Sequence, residues 1–283
     1  MIPRVSRTHA IAVLAANLFA AASFLIAGTN PTTAQAAAPQ STAQALTADQ
    51  VIEKVIAARR TSGFRVHAKL TRSTAALDSA KDVRQLLIKS RRDGEATKTL
   101  YQVLWPTKFA GEAILIEDSG DHQVKGFLFR NGAATPLTNQ SLEGEFFGSD
   151  IHIEDAVEGF WYWPSRKSAG EETIDKRRCM IVELRPGPDT VTQYSMVKAW
   201  VAPEISLAMK IQVYGRDGKL VKTVTTDRVV KEGKLWLAAT VKVLPVVGKT
   251  QTVLEGTKSE RDLQLPAADF TIEAIKNFGK AGR

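Results

Sequence analysis

Hydrophobic and polar residues alternate with a period of two along most of the chain, beginning at Phe64. Alternation of this kind is typical of β-strands that have one buried and one solvent-facing side. Ten further segments have the length and composition of strands: Val83–Arg92, Thr97–Pro106, Glu112–Glu117, Gln123–Arg130, Arg177–Arg185, Gln193–Ala202, Leu207–Tyr214, Leu220–Lys231, Leu235–Val243 and Thr250–Asp262. The pattern therefore predicts a sheet of about ten or eleven strands.

Short turns, rather than long helices, separate these predicted strands. Asp93-Gly94, Asp217-Gly218 and Glu232-Gly233 have the residue types of hairpin turns, and Asn131-Gly132 marks a further turn. Strands do not alternate with helical patterns, which argues against parallel pairing. The fold class that follows is mainly β (α+β), with one antiparallel sheet built as a meander.

Helical patterns are confined to short segments. Thr47 and Gln50 form a capping box that begins a helix ending before Gly63. A second short helix is predicted around Phe270–Phe278. Together with residues 146–164, these helices are the predicted covers for the dry side of the sheet, and they are too small to fill it. We therefore expect either closure into a barrel or a partly unfilled apolar cavity.

Residues 146–164 form an aromatic segment that has neither a long-helix nor a long-strand pattern. It contains six aromatic and four acidic residues, so it predicts either a core plug or a cover over an apolar surface. Its acidic residues do not have the spacing of a twelve-residue calcium loop. We expect instead that Ser149 or Asp150 caps a short helical turn, with Glu154 and Asp155 near its positive end. The tryptophans could stack on sugars or nucleobases, but burial against the sheet is favoured.

The N-terminus has the pattern of an export signal. Arg4 and Arg7 precede an apolar run at Ala10–Gly28, and Ala34-Gln35-Ala36 fits a cleavage site. This predicts a signal peptide at residues 1–36, a loose leader at 37–46 and one domain at 47–283, located in the periplasm. An uncleaved membrane anchor is the alternative. Without Arg4 and Arg7, 36 basic residues remain against 30 acidic ones, a net charge of +6.

Residues for catalysis or for binding a metal ion are scarce. His67, His122 and His152 lack a second His or Cys at metal-ligand spacing, and the single cysteine, Cys179, is expected to be a buried apolar residue. No nucleophile elbow, phosphate loop or dinucleotide fingerprint is found. The longest basic runs are too short for nucleic-acid binding. We expect no catalytic residues, no metal site and no cofactor; an enzyme would need a carboxylate pair such as Asp150 and Asp155 facing a cleft.

Three stretches of the chain resemble the LolA-like outer-membrane lipoprotein-sorting protein family. They are Phe146-Phe-Gly-Ser-Asp-Ile-His-Ile-Glu-Asp155, Trp161-Tyr-Trp-Pro164 and Cys179-Met-Ile-Val-Glu-Leu-Arg-Pro186. The order of signal peptide, first helix, long meander and short C-terminal helix also matches across nearly the whole exported chain. The resemblance implies a curved, unclosed half-barrel whose concave apolar face is lidded by short helices.

The resemblance implies a monomeric periplasmic carrier for lipids or acylated lipoproteins, rather than an enzyme. The predicted ligand groove is lined by dry-face residues, and its lid is formed by aromatic residues. The groove residues are Phe64, Val66, Leu70, Met209, Ile211 and Val213; the lid residues are Phe146, Phe147, Trp161 and Trp163. The alternative is a periplasmic adaptor or regulatory module for an inner-membrane transporter or signalling protein, with its groove filled by its own side chains.

Overall fold

The computed structural model describes residues 46–74, 82–119 and 124–281. The predicted signal peptide, all but the last residue of the predicted leader, and His122 lie outside this part of the chain. The described residues form one antiparallel sheet of 13 strands, together with short helices. In these ranges, no helix has the length and apolar character needed to span a membrane.

The elements follow one another in a simple order along the chain. The strands are β1 Gly63–Thr74, β2 Asp82–Asp93, β3 Ala96–Trp105, β4 Ala113–Asp118, β5 Val124–Arg130, β6 Ala133–Pro136, β7 Ser165–Ile174, β8 Arg177–Arg185, β9 Tyr194–Ala202, β10 Leu207–Gly215, β11 Leu220–Glu232, β12 Leu235–Pro245 and β13 Thr250–Arg261. The α-helices are α1 Ala48–Ala58, α2 Asn139–Leu142, α3 Ile153–Val157 and α4 Ile272–Ala281. Single 3₁₀ turns lie at Thr107–Phe109, Gly159–Tyr162 and Ala267–Phe270.

The predicted strand count was too low because β6 and β7 were missed. β6 has four residues, and β7 (Ser165–Ile174) is largely exposed on both sides, so neither shows a buried period of two. The turn after β7 also carries no glycine: Asp175 and Lys176 both adopt positive φ angles of 51° and 62°. The strand is thus polar, lies at the edge of the sheet and has no recognisable hairpin sequence.

The topology explains why a long segment crosses the sheet. Strand order is β6-β5-β4-β3-β2-β1-β13-β12-β11-β10-β9-β8-β7, and β1 pairs with β13 at the centre, for example Leu70 with Leu254. The two edge strands, β6 and β7, are therefore consecutive in sequence. The chain between them, residues 137–164, has to pass from one edge of the unclosed sheet to the other, and it contains the aromatic segment.

Both faces of the sheet are buried in its first half. In β4, Ile114 and Ile116 join the cluster that contains Phe146, whereas Ala113 and Leu115 join a cluster with residues of the C-terminal helical region. We call the side under α1 and the aromatic segment the covered face. The C-terminal helix was predicted to cover this face; it packs instead on the opposite face through Phe270 and Ile275 and its linker residue Leu265.

Helix α1 confirms the prediction made from its capping box. The Thr47 hydroxyl accepts a hydrogen bond from the Gln50 backbone N–H at 3.2 Å, and the Thr47 N–H donates to Gln50 Oε1 at 2.9 Å. The buried stripe of the helix packs on β8, β9 and β10. This places the last turn of α1, and Arg59 after it, beside the aromatic segment.

Candidate functional site

The aromatic segment packs on the covered face through two groups of rings. Phe146 and Phe147 contact each other with centroids 4.6 Å apart, and Phe146 meets Tyr101 of β3 edge-on at 5.1 Å. Trp161 and Trp163 pack farther along the sheet, against α1 and strands β8 to β10. All four predicted lid residues are buried.

The Gly148-Ser149-Asp150 turn fixes the first half of the segment to the centre of the sheet. The Asp150 carboxylate accepts hydrogen bonds from the hydroxyls of Thr250 and Thr252, both at 2.8 Å, and from Arg72 Nε at 3.2 Å. Phe147 and Gly148 both adopt positive φ angles, 52° and 71°, which favours glycine at the second position. Asp150 thus joins the segment to β1 and β13.

The predicted role of Ser149 or Asp150 as a helix cap is therefore wrong. His152 is the residue that precedes α3, and its backbone N–H donates to Asp155 Oδ2 at 2.6 Å. Glu154 and Asp155 lie in the first turn, as expected. Their side chains, however, also bond outside the helix: Asp155 bonds to β9 and β11, and Glu154 bonds to the loop before β9.

A buried polar network joins α3 to the sheet below it. Lys222 of β11, whose side chain is 1% exposed, pairs with the Asp155 carboxylate and lies 3.2 Å from His152 Nδ1. The Tyr194 hydroxyl donates to Asp155 Oδ1 at 2.8 Å and lies 3.1 Å from the same His152 nitrogen. Glu154 accepts from Thr192 Oγ1 and from the Gln193 N–H. The network satisfies a buried ammonium and a buried carboxylate together.

Burial shifts the proton affinities in this network. Burial and, next, the charge of Lys222 lower the pKa of His152. Burial raises the pKa of Glu154 despite its hydrogen bonds, and burial together with the Asp155 charge raises the pKa of Tyr194. Burial thus favours the neutral forms of His152 and Tyr194, which lie beside the ion pair of Lys222 and Asp155.

The second half of the segment is joined to α1 and β7. Arg59, at the end of α1, forms an ion pair with Glu158. Arg166 donates to the backbone oxygens of Trp161 at 3.0 Å and Trp163 at 3.3 Å, and to Glu53 at 2.7 Å. These contacts are polar, in contrast to the aromatic packing beside them.

An apolar cavity of about 100 Å³ lies between the segment and the sheet. Its floor is formed by β10, β11 and β12, and its roof by α1 and the second half of the segment. The floor is lined by aliphatic residues that include Ile211, Val213, Val224, Val241 and Val243. Trp161, Arg59, Asp155 and Glu158 line the same cavity.

The predicted groove residues fall into three groups. Phe64, Val66 and Leu70 are buried under the first half of the segment, in the cluster of Phe146, and do not line this cavity. Ile211 and Val213 line it together with Trp161. Met209 is buried on the opposite face with Trp200, because a β-bulge between Ala208 and Lys210 interrupts the alternation along β10.

Sequence reasoning missed the residues of the polar network. Lys222 lies two residues before Val224, so both side chains lie on the same, buried side of β11. A lysine at a position where the alternation predicts a buried residue could have indicated the network. Tyr194 and Arg59 gave no such signal, because their partners are distant in sequence. Cys179 is free and buried, as predicted, and burial raises its pKa.

Asp150 and Asp155, the carboxylates that an enzyme would need, have separate partners. Asp150 is held by two threonines and Arg72, whereas Asp155 is held by Lys222 and Tyr194. Among the described residues, no group of three or more His, Cys, Asp or Glu side chains is placed to hold a metal ion.

A family model described as "Uncharacterized protein" matches residues 95–277, which is more than half of the chain. The chain belongs to that family. The matched region contains the aromatic segment, Tyr194 and Lys222, but it begins after α1 and Arg59. No curated protein matches the chain.

Three crystal structures of other proteins share the fold of this chain. A DUF1329 family protein from Desulfovibrio piger aligns with a TM-score of 0.73 and 19% identity over 81% of this chain and 97% of that one. An outer membrane lipoprotein-sorting protein domain from Vibrio parahaemolyticus aligns with a TM-score of 0.67 and 19% identity, over 76% of this chain and 92% of that one. A LolA superfamily protein from Nitrosomonas europaea aligns with a TM-score of 0.65 and 20% identity, over 80% of this chain and 98% of that one. The LolA-like resemblance is thus confirmed as a likeness of fold.

Proposed function

We propose that this protein is a periplasmic carrier that binds the acyl chain of a lipid or lipoprotein between the covered face and the aromatic segment. The observation that carries the proposal is the apolar cavity at that interface, roofed by a segment that is tied to the sheet by polar contacts. The fold shared with LolA superfamily and lipoprotein-sorting proteins supports it. The proposed carrier uses no catalytic residue and no cofactor.

The physical need for such a carrier is large. Exposing an acyl chain to water costs about 0.8 kcal/mol per methylene, so a chain of about 16 carbons costs on the order of 12 kcal/mol. A soluble protein lowers this cost if it offers an apolar surface that can be opened and closed. Release then requires a cover that is held weakly enough to move.

The size of the cavity indicates a closed state. Its volume of about 100 Å³ is smaller than the roughly 150 Å³ cavity that admits benzene in a well-studied engineered core. A long acyl chain therefore fits only if the aromatic segment moves away from the sheet. Arg59, Glu158 and Asp155 line the cavity, so the Arg59–Glu158 and Lys222–Asp155 ion pairs lie where they would hold the segment closed.

The proposal is tested by comparing the uptake of a fluorescent acyl probe by wild-type protein and by a variant whose cavity is partly filled by a larger side chain. Ala238 lines the cavity, so Ala238→Leu occupies part of it. We expect wild-type protein to bind the probe and A238L to bind it at least about tenfold more weakly, since each lost buried methylene contact costs about 0.8 kcal/mol. Ala133→Leu, the same change on the exposed strand β6, serves as control. Failure of wild-type protein to bind any acyl probe contradicts the carrier function.

A second candidate is an adaptor module for an inner-membrane transporter or signalling protein. The observation that favours it is that the four aromatic rings of the segment are already buried against the sheet. In that case the rings remain in place during function, and a pull-down with this protein recovers a membrane partner but no lipid. A disulfide joining the segment to the sheet would then leave partner binding intact, whereas it would abolish acyl uptake by a carrier.

A further inference from the structure

We propose that the cavity under the aromatic segment selects an acyl chain carrying an uncharged carbonyl oxygen, which accepts a hydrogen bond from the indole N–H of Trp161. The inference rests on the proposed carrier function and adds the chemical class of its ligand: an acyl ester, rather than a bare hydrocarbon or a free carboxylate.

The buried indole of Trp161 has an unused hydrogen-bond donor. Its side chain is 2% exposed and lines the cavity, and its Nε1 has no acceptor within the described residues. Buried donors are nearly always paired, because an unpaired one loses its bonds to water without replacement. In contrast, Trp200 Nε1 donates to Glu172. An acceptor brought by a ligand would complete the bonding of Trp161.

The charges around the cavity decide between a neutral and an anionic acceptor. Arg59 is the one cation among the described lining residues, and it is already paired with Glu158. Asp155 lines the cavity as a second carboxylate and is itself paired with Lys222, so the described lining offers no unpaired cation. A ligand carboxylate would lose its hydration there without gaining a counter-charge. An ester carbonyl accepts the same hydrogen bond without that cost.

Most of the remaining lining is aliphatic and suits the chain that follows the carbonyl. Its two hydroxyls belong to Ser206 and Thr226, and Thr226 already donates to the Ala208 carbonyl oxygen. Val55, Ile211, Val213, Val224 and Val241 offer aliphatic contacts and no donor. One polar contact in an otherwise apolar site fixes the orientation of a ligand rather than its affinity as a whole. The ester would therefore lie at Trp161, with its hydrocarbon chain extending over β10 to β12.

Binding of three matched ligands to delipidated protein tests this inference. Methyl dodecanoate carries the ester, tetradecane has the same chain length without an acceptor, and dodecanoate carries the charge. We expect Trp161→Phe to lower the ratio of ester affinity to alkane affinity by about three- to tenfold. The ratio is the readout because a smaller side chain changes the cavity volume for both ligands alike.

Trp163→Phe is the matched control for the substitution. Trp163 is buried in the same cluster but does not line the cavity, and it should leave the ratio unchanged. If wild-type protein binds both uncharged ligands and W161F keeps the wild-type ratio, the assignment of Trp161 is overturned while the carrier function stands. Preference for dodecanoate over the ester also overturns it. If neither ester nor alkane binds wild-type protein, the carrier function itself fails.

Discussion

Lys222 of β11 pairs with Asp155 of α3 across the interface between the sheet and the aromatic segment. The ammonium is almost fully buried, and Tyr194 and His152 surround the pair. A charge buried to this degree is tolerated only with its partner in place. The pair therefore makes closure of the segment depend on one specific register between α3 and the sheet.

Replacing Lys222 by Met should destabilise the protein by about 3–5 kcal/mol, because the buried Asp155 carboxylate loses its counter-charge. Urea unfolding measures this change. The double variant K222M/D155N should recover part of the loss, since no uncompensated charge remains. Lys219→Met, which removes an exposed lysine paired with Asp217, should change stability by less than about 1 kcal/mol. Equal effects of K222M and K219M would contradict the account of the network.

Stability should fall as the pH drops below the ordinary pKa of histidine, 6.5, and part of that fall should come from His152. Burial lowers the pKa of His152 in the folded state, so the unfolded chain binds a proton that the folded protein excludes. Its contribution is complete above pH 6.5 and is lost as the pH falls toward the folded-state pKa, at a slope of at most about 1.4 kcal/mol per pH unit.

The His152→Gln variant isolates this contribution. Wild-type protein and H152Q are unfolded with urea at several pH values between about 7.5 and 5.5. The stability of wild-type protein should decline more steeply toward acid than that of H152Q. Glu154 and His67 titrate in both proteins, so their effects cancel in the difference. Parallel curves would show that His152 is not desolvated as described.

Asp150→Ala should destabilise the protein by about 2–4 kcal/mol, because the Thr250 and Thr252 hydroxyls and Arg72 lose a charged acceptor. Thermal and urea unfolding provide the measurement. Glu171→Ala, at an exposed ion pair with Arg178 on the edge strand, is the control and should cost less than about 0.5 kcal/mol. A D150A variant as stable as E171A would mean that the turn does not anchor the segment.

Glu158→Gln should speed the uptake and release of an acyl probe by about five- to thirtyfold. The substitution weakens the contact with Arg59 by about 1–2 kcal/mol, and opening of the segment becomes easier by the same amount. Stopped-flow fluorescence measures both rates. Glu204→Gln, which weakens a pair with Arg177 between β8 and the turn after β9, should leave them unchanged. Unchanged rates in E158Q would place the opening elsewhere.

Local patterns were sufficient to predict most of the sheet and the first helix. Alternation, strand-like composition and turn residues located eleven of the strands, and the Thr47–Gln50 capping box located α1, because these signals act over a few neighbouring residues. β7 escaped because an exposed edge strand needs no dry side. The C-terminal helix was predicted, but it was assigned to the wrong face of the sheet. An apolar stripe shows that a helix packs against something, but it does not show which surface it packs on.

The candidate site was predictable only in part for a related reason. Density of aromatic residues identified the segment, and alternation placed Ile211 and Val213 in the cavity. The bulge at Ala208–Lys210 moved Met209 to the other face, and no residue type in β10 announces it. The pairing of Lys222 with Asp155 joins positions 67 residues apart, so it emerges only from tertiary structure.

Native mass spectrometry of the protein purified from its native cells, without detergent or added lipid, tests the carrier function most directly. We expect a population with added mass that extracts into organic solvent as acyl lipid, and we expect this population to be much smaller in A238L prepared in the same way. Wild-type protein that carries only its polypeptide mass, and that also fails to take up an acyl ester offered in excess, would contradict it.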